Sequence, residues 1–221
     1  MNYLTCQLLN PEELEMLRKD LIKETVLWED GKQTAGTHAA KVKNNLQLKR
    51  DSDLSKKFSG QIIKKILSNE LIKSFTLPKK IHGTIFSKST KGMKYGRHID
   101  NVYMPSGRAD LSFTIFLSSK DNYEGGELSI EDFNSEKKFK LDAGEIIIYP
   151  STYLHSVEEV SNGERLVFIG WIESYVRSIE EREYLFDLDA AARSLLAKYG
   201  RSDEVDLIFK SYSNLLRRLG S

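Results

Sequence analysis

The 221 residues carry 33 basic against 32 acidic side chains, a formal charge of +1, and 40% of them are hydrophobic. Such a balance creates no global field to draw the chain onto nucleic acid or a membrane surface, so neither is expected as a partner, while the apolar fraction is ample for one main core. The single cysteine, Cys6, excludes an intramolecular disulfide and a Cys-based zinc site; any metal must rest on imidazole and carboxylate, and the expected location is a reducing cytoplasm.

The opening residues lack a basic region followed by an apolar one, and no stretch approaches the roughly 18 apolar residues of a membrane span, which leads us to expect a soluble, unexported protein. The first 75 residues read as helical. Asn10, Pro11 and Glu13 supply an N-cap, a proline at the first helical position and the glutamate of a capping box ahead of Leu14, Leu17 and Leu21. A second amphipathic helix carries Leu54, Phe58, Ile62, Ile63, Ile66 and Leu67 at three- and four-residue steps. Between them the small polar stretch 34–45 reads as a loop, which could form one rim of a site.

From Ile81 the hydrophobic period changes to two. Short β-rich runs fall at about 81–87, 93–99, 110–118, 126–131, 137–141, 145–149, 155–160 and 165–172. Turn signals at Pro105-Ser-Gly107, Gly125-Gly126, Ala143-Gly144 and Ser161-Asn-Gly163 separate them, so a sandwich or barrel is expected. After residue 175 helical patterning returns: Ala191–Gly200 ends in a C′ glycine, and Ser202 restarts a helix bearing Val205, Leu207, Ile208, Leu215, Leu216 and Leu219. Its apolar face could serve a homodimer. The expected organisation is a helical and loop part (1–80) packed on a β core (81–175), followed by C-terminal helices (176–221), with a separate helical lobe as the alternative for the last part.

His98 and Asp100 lie two apart on one of these strands, so both side chains point to one face. Alone, a His-x-Asp pair is better explained as two polar residues on the wet side of a surface strand. His155, near the start of a late strand, changes the balance, because antiparallel strands can bring it to the same barrel mouth. A 2-His-1-carboxylate set occupies one face of an octahedral ion and leaves three positions open, as non-haem Fe(II) oxygenases require. His38, read as a loop residue, and His82, read as a strand-edge residue, have no carboxylate two residues away and are not taken as ligands. Ten residues after His155, Arg165 opens an apolar strand. It needs an anion there: either Glu145 or Glu164, or the far carboxylate of a dicarboxylate co-substrate.

Tyr95-Gly-Arg-His98-Ile-Asp100-Asn101, Ala109–Ser118, Gly125-Gly126-Glu127-Leu128, Leu141–Ser151 and His155 with Arg165 resemble the PKHD-type hydroxylases, of the prolyl and lysyl hydroxylase-like branch of the Fe(II)/2-oxoglutarate dioxygenases. Trp28–Gly36 with Val42–Gln47, and Trp171–Ser178, extend the similarity toward both ends. The resemblance implies a mainly β fold, a double-stranded β-helix (a jelly-roll or cupin-like barrel) with flanking N- and C-terminal helices. It implies Fe(II) held by His98, Asp100 and His155, 2-oxoglutarate as co-substrate paired with Arg165, dioxygen as the second substrate, and ascorbate as reductant. The products would be succinate, carbon dioxide and a hydroxylated C–H bond of a peptidyl residue, prolyl among them, or of a small molecule. No catalytic residue beyond the metal ligands is implied. Asp100 argues for hydroxylation, since related halogenases lack the carboxylate. One departure is that Ser89 stands where the family often has a tyrosine that could bond the co-substrate, which leaves the second anchor open, with Tyr95 and Thr114 as candidates. The segment Val102–Arg108 is either a lid bringing Tyr103 and Arg108 to a substrate or an ordinary connection. A barrel that senses iron or 2-oxoglutarate without turnover, and an oxygen-independent cupin-like metalloenzyme, are the rival readings.

Overall fold

The computed structural model describes residues 3–23, 27–34, 36–132 and 134–221. In chain order, β1 (Leu4–Gln7) and α1 (Pro11–Lys23) precede β2 (Trp28–Asp30), α2 (Thr37–Ala40), β3 (Lys43–Asn44), β4 (Leu46–Leu48), α3 (Asp53–Ser68) and α4 (Glu70–Thr76). The β region runs through β5 (Pro78–Thr90), β6 (Lys94–His98), β7 (Tyr103–Met104), β8 (Gly107–Arg108), β9 (Leu111–Phe116) and β10 (Tyr123–Gly125). It continues through β11 (Leu128–Asp132), β12 (Ser135–Phe139), β13 (Glu145–Pro150), β14 (Leu154–Val157) and β15 (Val160–Ser174), and α5 (Ile179–Tyr199) and α6 (Asp203–Leu219) close the chain.

The strands form two large antiparallel sheets and a separate two-stranded sheet of β7 and β8. The larger has the order β1-β13-β9-β15-β5-β4-β2 with β10 also on β15; the smaller has the order β12-β11-β14-β6-β3. Consecutive strands repeatedly cross between the sheets, the signature of a double-stranded β-helix. Strict alternation along the larger sheet sets what each face does. Phe86, Leu111, Phe113, Ile115, Ile146, Ile148, Leu166 and Phe168 point outward and pack with Leu17, Leu21, Phe58, Ile62, Ile66 and Ile72 of the helices. The intervening residues face the smaller sheet, where Phe116, Ile147, Tyr149 and Val167 meet Leu128, Ile130 and Phe139. Both faces of the larger sheet are therefore covered, which explains the nearly continuous apolar runs of β9, β13 and β15.

The local signals at α1 act as written. The Asn10 side chain accepts from the Glu13 amide at 2.9 Å, and Glu13 accepts in return from the Asn10 amide at 2.8 Å. At the other end of the chain, Phe186 of α5 packs edge-on against Phe75 of α4 with ring centres 5.6 Å apart, and Ser74 donates to Asp189. The C-terminal helices thus lie on the helical layer.

Three expectations need correction. The first 75 residues are not simply helical. Strands β1 to β4 are two to four residues long, too short for a period to register, and exist because β13, β5 and β6 offer them edges. The stretch 34–45 is likewise not all loop: it holds α2, which includes His38, and β3. Finally, Ser161-Asn-Gly163 lies inside β15 rather than at a turn. Gly163 has φ +78, and a Cβ there would sit 2.2 Å from the Asn122 carbonyl oxygen, so the glycine admits the close approach of β10.

Candidate metal centre

His98 ends β6, and its Cα lies in register with that of His155 on β14. The chain leaves the strand after His98 and turns Asp100 back toward both rings. One ligand atom from each of the three residues lies within 4.8 Å of the other two, and His155 Nε2 is 3.8 Å from Asp100 Oδ2. The cluster is well shielded, with the His155 and Asp100 side chains 7% and 10% exposed.

The hydrogen bonds behind these groups determine which atoms they offer. His98 Nδ1 lies 2.8 Å from the Gly96 carbonyl oxygen, and His155 Nδ1 lies 3.1 Å from that of Tyr153. A carbonyl only accepts, so each Nδ1 carries the proton and each Nε2 keeps its lone pair for a metal. Burial, reinforced by the neighbouring His155, pulls the His98 imidazole down to about 4, so it is neutral near pH 7. Tyr95 stacks on His98 at 3.6 Å between ring centres, and Tyr149 meets His155 edge-on at 5.4 Å.

Asp100 is held by a relay that sequence reading missed. Ser112 Oγ on β9 donates to Asp100 Oδ2 at 2.6 Å, and Ser151 Oγ lies 2.7 Å from Ser112 Oγ. A hydroxyl has one proton, so Ser151 donates to Ser112, which in turn donates to the carboxylate. A signal was present: Ser112 and Thr114 interrupt Leu111, Phe113 and Ile115 on a strand buried on both faces. Small polar residues on the inward row leave space where a core would otherwise be filled.

That space is a cavity of about 330 Å³ lined by the three candidate ligands, Tyr95, Thr114, Ser89, Tyr149 and Arg165. Arg165 is 3% exposed, and burial lowers its affinity for its proton while the Tyr123 and Tyr149 oxygens oppose this. Neither glutamate expected as its structural partner reaches it: Glu145 accepts from the Asp142 amide, and Glu164 faces Lys88. Among the described residues no carboxylate is in ion-pair contact with Arg165, its Nε is buried without a hydrogen-bond partner, and the buried Tyr123 hydroxyl lies beside the guanidinium. The guanidinium instead lies 5.5 Å from the Phe116 ring centre. Gly126 makes room for it, since a Cβ at φ +68 would fall 2.9 Å from Arg165 Cδ. Tyr149, overlooked in the sequence, lines the same cavity, and burial, with the Asp100 charge second, raises its phenol well above its ordinary value.

His82 is outside the cluster: its ring nitrogens meet Ser106 Oγ and the Arg108 carbonyl oxygen, each at 2.9 Å. The segment 102–108 contains the β7–β8 hairpin, tied to the barrel by His82 and by Arg108, which grips Asp110 through two 2.8 Å bonds. Tyr103, Met104, Pro105 and Ser106 line one rim of the cavity; Thr34, Gly36, Ala39 and Lys43 line another.

Residues 84–173 match the family model of the 2OG-Fe(II) oxygenase superfamily, and residues 180–220 match the PKHD-type hydroxylase C-terminal domain. PKHD-type hydroxylases of Prochlorococcus marinus strains MIT 9215 and MIT 9312 are 75% and 72% identical, in each case over 100% of both chains. A prolyl-4-hydroxylase of Pseudomonas putida superposes with a TM-score of 0.56 at 16% identity, covering 78% of this chain and 92% of its own. The prolyl hydroxylase of Trichoplax adhaerens, in complex with a hypoxia inducible factor peptide fragment, gives 0.57 at 13% identity, covering 83% and 86%. These structures share the double-stranded β-helix fold.

Proposed function

The chain belongs to the PKHD-type hydroxylases of the 2OG-Fe(II) oxygenase superfamily, and from that membership we propose what its individual residues do: His98, Asp100 and His155 hold Fe(II), and Arg165 receives the distal carboxylate of 2-oxoglutarate. The protein is thus an Fe(II)- and 2-oxoglutarate-dependent dioxygenase, releasing succinate and carbon dioxide as it hydroxylates a C–H bond. The observation carrying the residue assignment is the convergence of three donors, each oriented by a hydrogen bond from behind. With both Nδ1 atoms tied to backbone carbonyls and Asp100 held by Ser112, the free atoms are the two Nε2 lone pairs and carboxylate oxygen. That donor set fits a divalent ion that keeps open positions.

When bound, the iron would activate dioxygen and polarise the keto acid. The chain's own contribution is to bind, orient and exclude water. Arg165 is a preformed buried cation with no carboxylate in ion-pair contact among the described residues and an Nε without a hydrogen-bond partner, so a dicarboxylate completes a pairing the fold leaves open. The phenol of Tyr149, kept protonated by burial, is available to donate along the cavity, and Thr114 lines it beside the metal ligands. We assign these two as the co-substrate's further contacts, in place of the tyrosine replaced by Ser89. Phe116, Val167 and Leu128 wall the arginine end against water.

Succinate release from 2-oxoglutarate tests the reading. It should require added Fe(II), be supported by ascorbate as reductant, and vanish in His155→Ala. Binding of 2-oxoglutarate with no succinate under any reductant would instead favour a sensor, and turnover without oxygen would favour a cupin-like metalloenzyme. A product carrying one additional oxygen, sought among peptides and small metabolites, would identify the substrate.

A further inference from the structure

We propose that the substrate hydroxylated in this cavity carries a carboxylate, and that Lys43, with Arg50 at the mouth, is its receptor. The inference rests on the oxygenase reading and adds the chemical class of substrate to it. Among the described residues lining the cavity, the acids and bases do not balance: Asp100 is the one acid, against Lys43, Arg50 and Arg165. Under the reading above, Asp100 is committed to the metal and Arg165 to 2-oxoglutarate. Two cations are left over.

Lys43 is the more telling of them. It is 4% exposed, and a lysine this deep in a protein nearly always has an anion beside it. Here its Nζ donates to the Thr34 hydroxyl at 3.2 Å and lies 4.9 Å from the centre of the Tyr95 ring, with no carboxylate within ion-pair distance among the described residues. Tyr95 in turn stacks on His98, which puts the ammonium one aromatic ring from the metal site. Burial first, and then the nearby Arg50, lower Lys43 to about 8, and the more distant charges of Asp100 and Asp30 only partly offset them.

Arg50 stands exposed at the mouth, where its guanidinium makes one long 3.5 Å contact to the Gly83 carbonyl. The indole N–H of Trp171, another lining residue, is buried without an acceptor. These groups are distinct from the co-substrate's end. Arg165 is surrounded by Phe116, Tyr123 and Gly126, whereas Lys43 neighbours Thr34, Tyr95 and Arg50, so the two cations suit two separate anions.

Matched probes test this: N-acetyl amino acids as free acids and as primary amides, and short peptides with and without an acidic side chain, each incubated with Fe(II) and 2-oxoglutarate. The readouts are succinate above the substrate-free level and gain of one oxygen. The acids should stimulate and the amides should not. Stimulation by free acids alone would identify a small-molecule carboxylate; stimulation by acidic peptides would identify a side chain. Lys43→Met should raise the half-saturating concentration of the stimulating acid at least about tenfold, the loss expected for one charge-assisted bond, while Lys43→Arg retains most of it. Arg50→Gln, at an exposed site that threatens no buried contact, should give a smaller loss and stays readable if Lys43→Met fails to fold. Equal stimulation by acid and amide, no stimulation by any acid, or unchanged half-saturation in both variants would overturn the proposal. Substrate-free, Fe(II)-dependent succinate from the unmodified protein separates the two levels: if it persists, the carboxylate receptor alone has failed, and if it is absent, the oxygenase reading fails first and takes this inference with it.

Discussion

Ser112→Ala isolates the support of the proposed metal-binding carboxylate, Asp100, from the proposed ligands themselves. The Ser112 hydroxyl gives its proton to Asp100 at 2.6 Å and receives one from Ser151 at 2.7 Å, so the substitution removes a charge-assisted bond and strips Ser151 of its acceptor. A hydrogen bond to a charged group contributes about 1.5–3 kcal/mol, and loss of an outer-shell partner lowers metal affinity by roughly 10- to 100-fold. Nothing else in the site should move, because Ser112 lies on a strand paired on both sides with β13 and β15. The assay is the Fe(II) concentration giving half-maximal succinate formation at saturating 2-oxoglutarate. We expect it to rise about 10- to 100-fold, with the KM for 2-oxoglutarate unchanged and turnover at saturating iron largely kept. An unaltered iron requirement, or a change confined to 2-oxoglutarate, would refute the reasoning.

Arg165→Met should raise the KM for 2-oxoglutarate at least about tenfold, as expected for loss of a bidentate charged pairing, while leaving folding intact, since it removes a buried cation that is in ion-pair contact with no carboxylate among the described residues; steady-state kinetics and thermal denaturation read the two effects separately. Gly126→Ala forces a Cβ into φ +68 and to within 2.9 Å of Arg165 Cδ; it should cost roughly 2–4 kcal/mol in denaturant unfolding and raise the same KM by displacing the guanidinium. In the metal-free protein His98 titrates at about 4 against an ordinary 6.5, so the unfolded chain binds more protons between those values. This group's contribution to stability is therefore complete above about pH 6.5 and falls as pH drops toward 4, by at most about 1.4 kcal/mol per unit, and His98→Gln should flatten the dependence of the melting temperature on pH.

Much of this architecture was legible in the sequence because a strand longer than about five residues leaves a recognisable β-rich run, alternating or continuously apolar. β5, β9, β13 and most of β15 were found that way, and α1 announced itself through a capping box that the structure contains atom for atom. β1 to β4 were invisible, since a strand of two to four residues has no period of its own and forms only where a distant edge awaits it. The spacing of His98 and Asp100 gave the candidate ligands, yet the residues that orient them did not stand out. Ser112, Ser151, the Gly96 carbonyl and Gly126 are common residue types or backbone atoms whose role depends on what arrives from elsewhere in the chain. Lys43 was passed over for a similar reason: in a polar stretch it reads as a solvated side chain, and only the folding of β3 against β6 buries it beneath the cavity rim.

The most direct test of the central claim, that His98, Asp100 and His155 share one iron beside Arg165, is anaerobic addition of Fe(II) and 2-oxoglutarate while the visible spectrum is followed. A weak charge-transfer band saturating at one iron per chain, lost in Asp100→Ala and His155→Ala and requiring more 2-oxoglutarate in Arg165→Met, is the predicted result. A band of full strength in either ligand variant, or none in the unmodified protein, would contradict it.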